Sequence, residues 1–158
     1  AGVRGAASPA DAFARIARFG APFVSRGDAS GTAEFEQKTW QAAGVRPFSG
    51  NLLEIGRGAS ETLMLAAEKN AYTLAPLSSW LQFSISMAAR YPNYNRLYEN
   101  PASMPNPYTL YTACNADAPQ TCRRAQAFAG FLAKEETRRI IESFSIGKEN
   151  VFSKVELP

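Results

Sequence analysis

This sequence predicts an α/β fold with a mostly parallel sheet flanked by helices, on three observations. Short apolar runs of strand length alternate with longer stretches of helical period. Glycine-bearing turns, GDASG and GRGAS, stand where strands give way to helices. The composition is that of an ordinary globular chain, with 46% hydrophobic and 20% charged residues. A length of 158 residues suits one domain or two small lobes.

Ser8-Pro9-Ala10-Asp11 opens the first helix, with Ser8 as N-cap, Pro9 in the first turn and Asp11 near the positive end of the helix dipole. Phe13, Ile16 and Ala17 share one face, and Gly20 ends the helix. A strand is expected over 21–25, then a helix over 31–43 with Phe35, Thr39 and Ala42 on its apolar stripe and Gly44 as its stop. The next strand, 51–55, leads through GRGAS into a helix over 60–69 that turns Leu63, Ala66 and Ala67 inward. A strand at 71–75 follows, and then a helix over 77–89 around Leu81 and Ile85.

The stretch 91–107 is dense in Pro and Asn and reads as loop, with at most a short strand at Leu97-Tyr98. Tyr108 to Ala113 is a strand candidate by its aromatic and β-branched content. One or two helices complete the chain, with Phe128 and Leu132 on one stripe and then Ile140, Ile141 and Phe144.

Several function classes are disfavoured. The net charge of +3 comes from scattered residues with no basic-aromatic stripe, so a nucleic-acid surface is not indicated. No apolar run approaches the ~20 residues of a membrane span, and the opening AGVRGAASPADAF has no apolar core of signal-peptide length. The absence of histidine removes the usual zinc sites and Ser-His or Cys-His catalysis. No carboxylate pair or nucleophile with an adjacent base stands at recognisable spacing, so neither an enzyme nor a cofactor or metal site is expected. The cysteines, Cys114 and Cys122, flank the turn-rich insert NADAPQT. They read either as a disulfide or as two unrelated buried thiols. The disulfide suits an oxidising compartment, which favours a periplasmic location.

The candidate chemistry lies in the two glycine-bearing turns. Ser25 ends a strand, so Arg26 stands at the carboxyl edge of the sheet, where α/β folds place ligands. Ser30, Gly31 and Thr32 begin the next helix, whose N-terminus offers unpaired N–H groups and partial positive charge. Gly31 permits close approach, Ser30 and Thr32 add hydroxyl donors, and the Arg26 fork suits a tetrahedral oxyanion. Asp28 would repel an anion, so its expected role is to orient Arg26 or cap the helix. The competing reading is a plain N-cap at Ser30 beside a solvated Arg26. Arg57, Gly58 and Ser60 repeat the same strand, glycine, hydroxyl and helix order. Neither a Walker motif nor a GxGxxG fingerprint is present, which disfavours nucleotides.

FVSRGDASGTAEFEQKTW, followed by LLEIGRGASETLMLAAEKNAYTLA, resembles the tungstate-binding periplasmic proteins of ABC importers. These have the type II solute-binding fold shared with phosphate-binding proteins. The family pattern SRGDxSGTHxxExxLW is met at Ser25, Arg26, Gly27, Asp28, Ser30, Gly31, Thr32, Glu36 and Trp40. A second pattern is met at Glu54, Gly56, Gly58, Thr62, Leu63, Ala66, Glu68, Lys69 and 71–74, and a third at Asn106-Pro107-Tyr108. The chain departs from the family at Ala33, which stands for its usual His, at Arg57, which stands for Gln, and at Ala59-Ser60-Glu61. Arg57 favours an anion and Glu61 opposes one.

The resemblance implies a type II periplasmic solute-binding-protein-like domain. It captures tungstate first, molybdate or phosphate next, and delivers the anion to an ABC permease in the inner membrane. It implies that 1–107 is the lobe bearing the SRGDxSGT motif and that 108–158 is a segment which normally crosses back to a first lobe. Nothing in residues 1–20 matches that lobe's Thr/Ser-rich loop, so residue 1 reads as a point inside a longer protein. Without that lobe the chain is expected to bind weakly and to self-associate through, or repack, its 108–144 segment. The alternative is an interaction or regulatory module that kept the fold but lost transport.

Overall fold

The computed structural model describes residues 1–46 and 50–153, and its contacts divide the chain into two units, Ala1–Asn106 and Pro107–Pro158. In the first unit a 3-10 turn, Val3–Gly5, precedes helix α1, Pro9–Arg18. The Ser8 side chain accepts from the Asp11 N–H, as the N-cap pattern requires. The Asp11 carboxylate accepts from the Ala7 N–H and pairs with Arg15 one turn on. Strand β1, Phe23–Ser25, helix α2, Gly31–Ala42, strand β2, Leu52–Glu54, helix α3, Ala59–Glu68, and helix α4, Leu77–Met87, follow.

Strand β1 is central. It pairs in parallel with β2, setting Phe23 against Leu52 and Ser25 against Glu54. On its other side the expected strand at 71–75 is reduced to a single parallel bridge, Phe23 to Tyr72. The Val24 N–H donates to the Tyr72 carbonyl and the Tyr72 N–H to the Pro22 carbonyl. The Thr73 hydroxyl then donates to the Val24 carbonyl at 2.7 Å, taking the acceptor a continuing ladder would use. Pro76, with no N–H to give, caps α4 soon after.

Alternation along β1 sends neighbours to opposite faces. Phe23 packs with Phe13 and Ile16 of α1 and Trp40 of α2, its ring centroid 5.5 Å from that of Phe13 and 5.2 Å from that of Trp40. Val24 packs with Ala66 of α3 and with Ala71. Helices therefore cover both faces of the sheet, and burying a side chain such as Phe23 or Leu63 stabilises the unit by roughly 1.5–3 kcal/mol.

Two expected apolar stripes, those of α2 and α4, are corrected. In α2 the buried positions are Ala33, Glu36, Thr39 and Trp40, whereas Phe35 is half-buried and Ala42 exposed. A carboxyl-bearing residue occupies a core position there, because Trp40 and Glu36 share the side of α2 turned toward β1. In α4 Leu81 is buried, as expected, but Phe83 takes the second inward place and Ile85 is exposed. Phe83 is drawn in by Tyr91 and Tyr94, whose rings lie 6.0 and 5.9 Å away. In α3 Leu63 and Ala66 are fully inward and Ala67 is half-buried.

The segment 91–107 is irregular, and Leu97-Tyr98 forms no strand but packs against the α1–α2 cluster. In the second unit 108–113 is likewise not a strand. Its residues find no ladder partner among the described residues, and β-branched and aromatic content cannot supply one. Helices α5, Pro119–Ala133, and α6, Glu135–Glu142, lead to a two-residue hairpin of β3, Ser145–Ile146, and β4, Glu149–Asn150, that sequence periodicity did not reveal. On the stripes expected from the sequence Phe128 is exposed and Leu132 half-buried, and Ile140, Ile141 and Phe144 are exposed; Thr137 is the buried residue of α6. Cys114 and Cys122 form a disulfide with their Cα atoms 4.7 Å apart.

Candidate functional site

The expected strand-to-helix junction forms at the end of β1. Gly27 adopts φ 61°, and a Cβ there would stand 3.1 Å from the Glu54 Cβ, so only glycine lets the β1 turn pass this close to β2. The two glycine turns meet through their backbones, the Arg57 N–H donating to the Arg26 carbonyl at 3.3 Å.

Asp28 organises the junction. Its Oδ2 accepts from Arg26 Nε at 3.2 Å and Nη2 at 2.6 Å, while Oδ1 accepts from the Ser30 N–H at 3.2 Å and hydroxyl at 2.6 Å. The Ser30 hydroxyl oxygen in turn accepts from the Ala33 N–H. The Ser30 hydroxyl above all, with Arg26, holds the Asp28 carboxyl below the usual carboxylate range despite partial burial. The Arg26 side chain is only 13% exposed and is fixed in one orientation.

Both expected roles of Asp28 are thus combined, and they change the role of Ser30. A hydroxyl has one proton, and that of Ser30 is given to Asp28. What remains open at the start of α2 is the N–H groups of Gly31 and Thr32, which helix geometry leaves without an intrahelical acceptor, and the Thr32 hydroxyl. The half-buried Thr32 and exposed Gly31 border that end. The Asn106 carboxamide stands near it, its Oδ1 3.9 Å from where a Gly31 Cβ would be. Asn106 was not among the site residues expected from sequence, although the Asn-Pro-Tyr motif pointed to it.

The remaining expected residues are placed differently. Ser25 is buried at 4% exposure, below the turn rather than on its surface. Arg57 and Ser60 line an open concavity of about 560 Å³ with Ile55, Glu61, Met64 and Glu68, and none of Arg26, Ser30 or Thr32 borders it. Gly58 is the N-cap of α3 and provides no side-chain cap; Glu61 Oε2 folds to 3.1 Å from where its Cβ would be. The carboxylate therefore shields the second helix start, which the sequence presented as a twin of the first. Among the described residues no cluster of three metal-ligating side chains occurs.

Beneath the junction lies Glu36, which sequence reasoning matched to the motif and gave no role. It is 4% exposed, and its Oε2 and the Trp40 Nε1 are both buried without a hydrogen bond of full geometry. Burial pushes its carboxyl up to about 7, against the opposing pull of Ser25 and Trp40 and with a smaller upward push from Glu54 and Asp28.

No family model matches the chain. It is 37% identical over 153 residues to a Haloferax volcanii protein named as an ABC transporter anion-binding protein, covering 96% of this chain and 45% of that one. It is 28% identical over 129 residues to the tungstate-binding protein TupA of Peptoclostridium acidaminophilum, covering 80% of this chain and 42% of that one. The crystallised tungstate-binding protein TupA from Desulfovibrio alaskensis G20 superposes with a TM-score of 0.71 at 26% identity, over 96% of this chain and 61% of that one. The chain is homologous to ABC-transporter solute-binding proteins. Its fold is of their α/β type, and it spans about half the length of the curated relatives it matches. The two curated relatives are named for binding an anion and for binding tungstate.

Proposed function

We propose that this chain belongs to the anion-capturing component of an ABC transporter, in a periplasmic or extracellular setting, and that it takes a tetrahedral oxyanion. Tungstate is the first candidate, with molybdate and phosphate next. The observation that carries this reading is the fixed Arg26 guanidinium, held by Asp28 directly ahead of a helix start whose Gly31 and Thr32 N–H groups lack intrahelical acceptors. Such an arrangement supplies charge and directional donors with no group for bond making. Arg26, Gly31 and Thr32 contact the anion in this reading; Asp28 and Ser30 position them. Arg57 contributes long-range attraction, and Gly58 and Ser60 are secondary because Glu61 shields their helix start. An ABC permease is the partner, and no cofactor is involved.

Titration of the chain with sodium tungstate by calorimetry tests the proposal, with molybdate and phosphate as competitors. A single open junction screened by solvent should bind with a dissociation constant in the millimolar range, roughly −4 kcal/mol. Failure of all three anions to bind at that level overturns the capture role. A second reading, an interaction or regulatory module that kept the fold, is favoured by the exposed apolar residues of the second unit, among them Leu110, Phe128 and Phe131.

A further inference from the structure

We propose that Glu36 is a proton-holding residue of the anion site, so that capture of a dianion at Arg26 and the start of α2 is coupled to retention of a proton on the Glu36 carboxyl. The inference rests on the capture role proposed above. Its geometric basis is a buried acid with no cation. Glu36 is 4% exposed, its Oε2 makes no hydrogen bond of full geometry among the described residues, and none of the ion pairs among them includes it. Its neighbours Ser25 and Trp40 are themselves buried.

The surrounding charges give the coupling its sign. On the β1–α2 turn the single guanidinium of Arg26 is already matched by Asp28. From the turn Asp28, and from β2 Glu54, both push the Glu36 carboxyl toward its protonated form. Of the charged groups of α1, Asp11 and Arg15 pair with each other and Arg18 is exposed to solvent. An ionised Glu36 would therefore place a third negative charge beside two others under a site meant for an anion. Glu54 is exposed and Asp28 half-buried, so each adds a small push, and the burial of Glu36 itself supplies the larger part. With its proton, Glu36 leaves the field of Arg26 and of the helix start intact. Because linkage is reciprocal, an anion that binds better to the protonated form must also hold the proton on. Burial already brings the carboxyl to about 7, so the exchange falls where modest pH changes matter.

The experiment is calorimetric titration of the intact chain and of Glu36→Gln with sodium tungstate at about pH 7 and about pH 9, an interval in which this anion stays a dianion. Wild-type affinity should fall about tenfold, one unit of proton linkage, over that interval, and Glu36→Gln should show no such fall. Wild-type binding at about pH 8, repeated in two buffers of different ionisation heat, should show uptake of a fraction of a proton, a readout that needs no variant. Parallel slopes in the two proteins, or wild-type binding without proton uptake, overturn the coupling and leave the capture role standing. Absence of binding by both proteins at both pH values overturns the capture role and the coupling with it.

Discussion

Asp28 accepts both Arg26 donors on one carboxylate oxygen and both Ser30 donors on the other. A single side chain thereby joins the orientation of the guanidinium to the capping of α2. Replacing Asp28 by Ala should release both. We expect thermal unfolding to show a loss of roughly 1–3 kcal/mol, the order for a cap together with hydrogen bonds to a charged group. Because the folded carboxyl is held below its ordinary value of 3.8, the stability it contributes is present above that value and is lost as pH falls through the folded value. Asp28→Asn should therefore flatten the acid limb of the stability profile.

Arg26 should not be replaceable by lysine. Its fork meets one Asp28 oxygen with two donors and keeps its remaining edge available, a geometry an ammonium cannot reproduce. Arg26→Ala should weaken oxyanion binding by roughly 2–4 kcal/mol, the order for removing one member of a desolvated charge pair. Calorimetry that finds unchanged affinity would remove Arg26 from the site and turn attention to Arg57.

Glu36 has a consequence for stability separate from binding. Its carboxyl is raised from 4.5 to about 7, so between those values the folded chain holds a proton that the unfolded chain has released. Stability contributed by this group is complete below about pH 4.5, declines as pH rises toward about 7, and then levels off. The decline amounts to about 3 kcal/mol at 1.4 kcal/mol per unit, an order-of-magnitude figure. The stability difference between Glu36→Gln and wild type should shift in favour of the variant by that order across the window. Urea titrations at several pH values measure it, and a constant difference would show that Glu36 is ionised in the fold throughout.

In the second unit Tyr108, Leu110, Tyr111, Phe128, Phe131, Ile140, Ile141, Phe144 and Phe152 are all exposed. Apolar area of this extent drives association when nothing covers it. The isolated chain is expected to exceed its monomer mass of 17.2 kDa in light scattering, increasingly so with concentration. Substituting Phe128 and Phe131 by Ser should return it toward the monomer, and a monomer at every concentration would refute this expectation.

Ser8, Ser30, Gly20, Gly27 and Gly44 show what sequence alone determined: where helices start and stop and which turn carries the candidate chemistry. Those features depend on the few residues beside them, through a hydroxyl that can reach an N–H or a backbone that can take positive φ. The parallel order of β1 and β2 followed as well, because strand-helix-strand leaves little choice. Tertiary structure alone decided the rest. Whether 71–75 became a strand depended on the Thr73 hydroxyl taking a carbonyl from another segment. Whether 108–113 did depended on a ladder partner it does not find among the described residues. Glu36 looked like one more polar residue on a helix until β1 and Trp40 closed over it. Glu61 turned the second glycine turn from an open helix start into a shielded one. Hydrogen-bond partners and burial come from residues distant in sequence, and local spacing carries no record of them.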